Sequence, residues 1–238
     1  MHNWNRRDVL KGGAVLGAGT LALTTTTGVR AAAGEQKWAF ETDEGVYSSP
    51  TVVDGTVFVG SSDSNLYAVD AASGKQQWAF ETGGPVRFSS PTVVNGTVFV
   101  GDWDGRLYAV DAASGKQQWA FETDGPVRFS SPTVVDGTVF VGSDDSNLYA
   151  VDVESGEQQW AFETGGPVRI SSPTVAEGTV FVGSDDHNLY AVDAATGEQQ
   201  WTFETGNIVS SSPTVAEGTV FVGSDDHNLY AVDAATGE

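Results

Sequence analysis

Ser89 to Phe129 reads SSPTVVNGTVFVGDWDGRLYAVDAASGKQQWAFETDGPVRF, and five near-copies of this 41-residue stretch fill the chain from about residue 34 to Glu238. The tryptophans Trp38, Trp78, Trp119, Trp160 and Trp201 keep step with it, as do the prolines Pro50, Pro91, Pro132, Pro173 and Pro213. Self-similarity at a fixed period of this size marks a repeat architecture. Within the quoted copy, four apolar runs are divided by turn signals: Pro91–Val94, Thr97–Gly101, Leu107–Asp111 and Gln117–Thr123. Asn95-Gly96 and Asp104-Gly105 are hairpin dipeptides between β-rich runs. Four antiparallel strands in about 40 residues is the period of a propeller blade.

The strands are apolar on both faces. Val98 and Val100 oppose Phe99, and Leu107 and Ala109 oppose Tyr108 and Val110. A sheet with one wet face would alternate polar with apolar residues, whereas stacked blades bury both. The reading is an all-β, five-bladed β-propeller of four-stranded antiparallel blades over residues 34–238. The final copy stops at Ala234-Ala235-Thr236-Gly237-Glu238, short of the QQW strand that other copies carry. The body opens with Gly34-Glu35-Gln36-Lys37-Trp38-Ala39-Phe40, a strand of that type. It is therefore expected to complete the last blade and close the ring, removing two open edges and giving a monomer. Residues 174–198 and 214–238 are identical, so a shortened member of a longer array is the other reading.

The charge balance is 32 acids to 11 bases. Four of the bases (Arg6, Arg7, Lys11, Arg30) and one acid (Asp8) lie before residue 34, leaving 31 acids and 7 bases, a charge of −24, on the body. Such a surface repels nucleic acid and acidic membranes, which removes both as partners. Scarce Lys beside abundant Asp, Glu, Thr and Gly suits concentrated salt, where screening makes self-repulsion tolerable. With no cysteine, disulfides, thiolate catalysis and Cys-ligated metals are excluded. Asn5-Arg6-Arg7-Asp8-Val9-Leu10-Lys11, an apolar stretch from Gly12 to Leu23, and Ala31-Ala32-Ala33 read as a twin-arginine signal peptide over residues 1–33. Retention as an anchor is the alternative. The stretch is short of the roughly 20 apolar residues that span a bilayer, so export to the cell surface or medium is expected.

Ala68-Val69-Asp70-Ala71-Ala72-Ser73-Gly74-Lys75-Gln76-Gln77-Trp78 resembles the A-x-D-x-x-[ST]-G-x-x-x-W signature of PQQ-like (pyrroloquinoline-quinone-like) propeller repeats, here of a haloarchaeal type. It recurs at Ala109–Trp119, Ala150–Trp160 and Ala191–Trp201, and without its Trp at Ala231–Glu238. The resemblance implies blade-to-blade docking roles for Trp38, Trp78, Trp119, Trp160 and Trp201. It implies that turns headed by Asp70, Asp111, Asp152, Asp193 and Asp233 brace them. Quinoprotein dehydrogenases of this type have more blades, an adjacent cysteine pair and a calcium ion held by Glu and Asn beside a catalytic Asp. A chain without cysteine and with fewer blades is expected to carry no cofactor and no catalytic residue. Other relatives of this type are scaffolds that bind proteins.

Propeller topology puts the blade links and the loops between second and third strands on one face. Arg87, Arg128 and Arg169 recur at one link position, with Tyr47 and Val209 at the equivalent sites of the first and last copies. Each Arg is expected to pair with an acid of an adjacent blade, or the set to grip a carboxylate or sulfate. Trp103 is the exposed-looking aromatic out of register, available to a sugar or a partner. Asp102 and Asp104 are expected to cap their hairpin rather than hold calcium, for the other EF-hand ligands are missing. His187 and His227 read as solvated tips and provide no metal site. The Ser pairs before each Pro lack a partnered base, which argues against nucleophilic catalysis. The functional expectation is a non-catalytic scaffold for a protein partner. A multivalent carbohydrate- or anion-binding module is the alternative, and a PQQ-dehydrogenase-like protein the third reading.

Overall fold

The computed structural model describes residues 34–238; the twin-arginine segment lies outside them. The chain divides into Met1–Gln36 and Lys37–Glu238, and the second unit is the repeat body. Its strands form five separate antiparallel sheets. Blade 1 is β1 (Thr51–Val53), β2 (Thr56–Gly60), β3 (Asn65–Asp70) and β4 (Gln76–Glu81). Blade 2 is β5 (Thr92–Val94), β6 (Thr97–Gly101), β7 (Arg106–Asp111) and β8 (Gln117–Glu122), and blade 3 is β9 (Thr133–Val135), β10 (Thr138–Gly142), β11 (Asn147–Asp152) and β12 (Gln158–Glu163). Blade 4 is β13 (Thr174–Ala176), β14 (Thr179–Gly183), β15 (Asn188–Asp193) and β16 (Gln199–Glu204); blade 5 is β17 (Thr214–Ala216), β18 (Thr219–Gly223) and β19 (Leu229–Asp233).

The turn residues explain the hairpins. Asn95 and Gly96 both take positive φ (49° and 78°), the backbone of a type I′ turn, which matches the twist of the strands it joins. In the last two copies Glu177 and Glu217 take the Asn role at φ 50°. The third and fourth strands slip register once per complete blade. Ala109 faces Trp119 while Val110 faces Gln117, so Gln118 is an extra residue at a bulge beside the Trp.

Burial on both faces follows from stacking. Phe99, Leu107 and Ala109 turn toward blade 3, where Val139 and Val141 meet them. Val98, Val100 and Val110 turn the other way, onto Phe58, Leu66 and Trp78 of blade 1. Each such side chain contributes roughly 1.5–3 kcal/mol by leaving water. Near the inner strands the blades are also laced together by hydrogen bonds. Ser90 N donates to Ser131 Oγ at 2.9 Å, Ser131 N to Ser172 Oγ at 2.9 Å and Ser172 N to Ser212 Oγ at 3.0 Å. Thr92 Oγ1 donates to Pro132 O at 2.6 Å, again from one blade to the next.

The expected closing strand is not formed among the described residues. β19 pairs with β18 alone, leaving blade 5 three-stranded, and residues 34–42 carry no strand. Trp38 is instead anchored on blade 1, donating Nε1–H to Ala71 O at 3.0 Å, and Phe40 meets Tyr67 edge-on at 5.2 Å. Docking on the following blade is what the outer-strand tryptophans of the complete blades do as well, so Trp38 meets that half of the expectation without the backbone half. The docking of Trp38 and the pairing of its strand are separate requirements, and only the first is met.

Candidate functional site

The blade links and the loops after the second strands do share one face, fixed by backbone bonds. Trp103 N donates to Pro85 O, Asp144 N to Pro126 O and Asp185 N to Pro167 O. Side chains of these two sets run from blade to blade as a ladder. Arg87 Nε donates to Ser62 Oγ at 3.1 Å, and its guanidinium carbon lies 4.5 Å from the centre of the Trp103 ring. Arg128 stands at 5.0 Å from the same ring, so one indole is flanked by two guanidinium groups, an attraction worth up to about 2 kcal/mol each where water is excluded. Arg128 Nε sits 3.1 Å from Asp144 Oδ2, and Arg169 Nε bridges Asp144 Oδ1 at 3.7 Å and Asp185 Oδ2 at 3.6 Å. The Nε–H of neither Arg128 nor Arg169 points along these contacts, so they are ion pairs without aligned hydrogen bonds. Ser210 Oγ donates to Asp225 Oδ1 at 2.7 Å and ends the ladder.

The three arginines therefore differ. Arg128 and Arg169 pair with acids of the next loop, whereas Arg87 makes no ion pair among the described residues, because its next loop offers Trp103, and the loop before it Ser62, where later copies carry Asp. Burial pushes the Asp144 carboxyl above its ordinary range against the pull of Arg128 and Arg169. Asp185 is raised by burial as well, with Arg169 opposing. Trp103 is half-buried rather than exposed, and its Nε1 has no hydrogen-bond partner. Beneath it runs an aromatic row that the sequence reading did not single out. Tyr47 lies 5.5 Å from Phe88, and Phe88 stacks on Phe129 at 4.5 Å and 17°. Tyr47 is 60% exposed. The repeated apolar position after each Arg was the available signal.

One equivalence shifts. Val209 N donates to Ser184 O as Val168 N does to Ser143 O, and Val209 is buried in the junction of blades 4 and 5. Val209 thus matches Val168, and Ser210 stands at the Arg position.

Asp102 is fully buried. Its Oδ1 accepts from the backbone of Asp104 at 3.1 Å and Arg106 at 2.8 Å, capping the hairpin. Its Oδ2 takes Gly84 N at 3.0 Å and Tyr108 OH at 3.2 Å, tying the loop to the preceding link. His187 and His227 sit at exposed tips with φ of 78° and 74°. In each Ser pair the first hydroxyl accepts a strand N–H, as Ser89 Oγ does from Gly101 N at 3.0 Å; the second completes the inner lacing.

The tryptophans and their turns repeat one geometry. Nε1–H of Trp78, Trp119, Trp160 and Trp201 donates to Ala112, Val153, Ala194 and Ala234 O of the following blade at 2.9–3.1 Å. Asp111 Oδ1 accepts from Ser114 N and Oγ, and these bonds from the Ser side chain and backbone hold its carboxyl below the usual range. Asp70, Asp152, Asp193 and Asp233 are lowered in the same way. On this opposite face, clefts open at consecutive junctions. One of about 610 Å³ between blades 3 and 4 is lined by Asp136, Thr138, Phe140, Gln159 and Asp193. A smaller one of about 330 Å³ repeats it between blades 4 and 5.

A family model described as outer membrane protein assembly factor BamB matches residues 2–92, 82–174 and 167–238. A comparison with curated proteins finds no match. Among solved structures, BamB from Moraxella catarrhalis aligns with a TM-score of 0.75 at 22% identity, over 85% of this chain and 62% of its own. The quinohemoprotein alcohol dehydrogenase ADHIIG from Pseudomonas putida HK5 aligns at 0.70 and 22%, over 85% and 42%. That of Comamonas testosteroni aligns at 0.69 and 21%, over 82% and 42%. At such identities the likeness is one of fold. The chain spans about three fifths of the BamB structure and two fifths of the dehydrogenases.

The residues of the link face do not fit a quinone held with its calcium ion. Among the described residues no three His, Asp or Glu side chains gather to hold a cation. The half-buried carboxylates Asp144 and Asp185 already face guanidinium groups.

Proposed function

The chain belongs to the PQQ-like repeat family described as outer membrane protein assembly factor BamB, and from that premise we propose that it is an exported, non-catalytic scaffold whose link face seats a protein partner. The observation that supports this reading is Trp103 held between Arg87 and Arg128 above the Tyr47–Phe88–Phe129 row. A half-buried indole, aromatic rings and an acid-free guanidinium in a chain of net charge −21 form a prearranged anchor. Trp, Tyr and Arg are the residues that dominate protein interfaces when set in a partly desolvated patch. The chemistry suits a partner segment carrying a carboxylate beside an apolar side chain: the carboxylate to Arg87, the apolar group to the row.

The test compares the intact protein with Trp103→Ala and Arg87→Gln as bait on solubilised envelope and secreted fractions, in concentrated salt. A partner recovered by the wild type and by Arg169→Gln, but lost from both link-face variants, is the expected result. Recovery that ignores Trp103 and Arg87 would overturn the reading. A multivalent carbohydrate-binding role is favoured by a different observation, the like clefts at consecutive junctions of the opposite face, since repeated weak sites gain by avidity. Its signature on a glycan array is binding that survives Trp103→Ala and falls with Gln159→Ala.

A further inference from the structure

Asn95-Gly96-Thr97 is an Asn-X-Ser/Thr triplet, and no other asparagine of the 238 residues has Ser or Thr two positions on. Such a triplet is the acceptor pattern for N-linked sugar, and it serves only where the chain is exposed. Asn95 and Gly96 are both exposed, at the tip of the β5–β6 hairpin. A Cβ built on Gly96 would meet nothing within 4 Å, so the space over the turn is open. The amides of Asn65, Asn147 and Asn188 donate to Asp63, Asp145 and Asp186, whereas that of Asn95 enters no hydrogen bond among the described residues. The turn itself does not call for an amide. Copies 1 and 3 set Asp54 and Asp136 in the same turn at φ of 48°, against 49° for Asn95, and copies 4 and 5 use Glu177 and Glu217. Thr97, by contrast, has a counterpart in every copy. Thr56, Thr138 and Thr179 each donate to a Gln, as Thr97 donates to Gln118 Oε1 at 3.1 Å. The threonine therefore belongs to the fold, and Asn95 alone turns copy 2 into an acceptor.

We propose that Asn95 carries an N-linked oligosaccharide, an inference that rests on the export half of the scaffold reading, since this modification belongs to secreted chains. The step joins Asn95 Nδ2 to the anomeric carbon of a lipid-phosphate-linked oligosaccharide. The C–N bond forms and the C–O bond to the phosphate breaks. The lipid phosphate leaves with the electron pair, and the amide gives up one proton to the transferase. The bond from Thr97 Oγ1 to Gln118 is solvent-exposed, so the hydroxyl can turn to the transferase at little cost. Gly96 O accepts from Ala112 N at 2.8 Å, which ties the acceptor turn to the turn after Asp111. The sugar therefore stands on the face opposite Trp103 and leaves the link face open.

The test takes the full chain from the medium and envelope of the cells that make it and weighs it by intact mass spectrometry. Its mass is expected to exceed that of the Asn95→Asp variant by whole sugar residues, and peptide fragmentation should place them on Asn95. Asn95→Asp and Thr97→Ala should each lose the whole addition, while Thr97→Ser keeps it. Asn95→Asp puts the residue of copies 1 and 3 into the same turn, so it is expected to fold, with circular dichroism as the check. An exported chain that carries no sugar, or sugar that survives Asn95→Asp, would overturn the proposal and leave the Trp103 face untouched. A chain found only inside the cell would overturn it together with export.

Discussion

The indole of Trp78 lies so close to Gly115 of the next blade that a Cβ built on that glycine would stand 2.7 Å from Cδ2. Gly115 also takes φ of 69°, and Trp78 donates to Ala112 O in the same turn. One glycine therefore meets two demands, a left-handed backbone and space for a ring from its neighbour.

Gly96 separates the two. It has φ of 78° with nothing within 4 Å of an added Cβ, so Gly96→Ala should cost about 1 kcal/mol from conformation alone. Gly115→Ala should cost clearly more, because the Trp78 ring must move as well. Urea unfolding of both variants checks the order, and equal losses would show that the ring gives way freely.

Trp119 tests the docking itself. Trp119→Ala removes a buried ring from the junction of blades 2 and 3 and is expected to cost about 3–5 kcal/mol. Trp119→Phe keeps much of the packing but leaves Val153 O without its donor, a loss of about 1 kcal/mol. Since each blade touches only its neighbours, unfolding of the Ala variant should lose cooperativity. Hydrogen exchange would then show blades 1–2 and 3–5 opening separately.

Tyr230 and Asp226 give a pH signature. The Tyr230 hydroxyl, donating to Asp226 Oδ2 at 2.6 Å, is the main cause that holds this carboxyl at about 2. A lowered carboxyl favours the folded state above the ordinary value near 3.8, and that contribution fades as pH falls toward 2. Tyr230→Phe should move the Asp226 midpoint up toward 3.8 in a carboxyl-carbon NMR titration. The stability gap between the two proteins should shrink below pH 4.

On the link face, Arg87→Gln removes a guanidinium that has no acid partner but lies against the Trp103 ring and donates to Ser62; it should cost about 0.5–1 kcal/mol and leave the Asp144 midpoint where it is. Arg128→Gln takes an ion-pair partner from Asp144, a carboxyl already raised by burial. It should cost up to about 1 kcal/mol, as expected of a partly exposed pair, and raise the Asp144 midpoint further. Thermal melts and the same titration decide between them; equal effects would contradict the difference in partners.

What could be read from residues alone was whatever a single copy encodes. The Asn95-Gly96 turn, the two-faced strand Thr97–Gly101 and the Asp111–Trp119 turn-and-strand are local patterns, and they form as their spacing predicts. That residues 37–41 stay unpaired with β19 was not legible, because the expected pairing would join segments nearly two hundred residues apart through the tilt of every blade between them. The Val209 equivalence slipped because the last link is one residue shorter than its neighbours, and only the bond from Val209 N to Ser184 O fixes the side from which to count. The flanking of Trp103 was hidden for another reason. It depends on departures unique to copies 1 and 2, Ser62 and Trp103 where later copies carry Asp.

The Ser–Ser lacing near the inner strands sets how such a gene can change. Every stitch runs from one copy to the next and none reaches further, so inserting or deleting a whole unit swaps one stitch for an identical one. Recombination between like segments, such as 174–198 and 214–238, would then lengthen or shorten the protein in steps without spoiling what remains. Selection can thus tune its size as freely as point mutation tunes a loop.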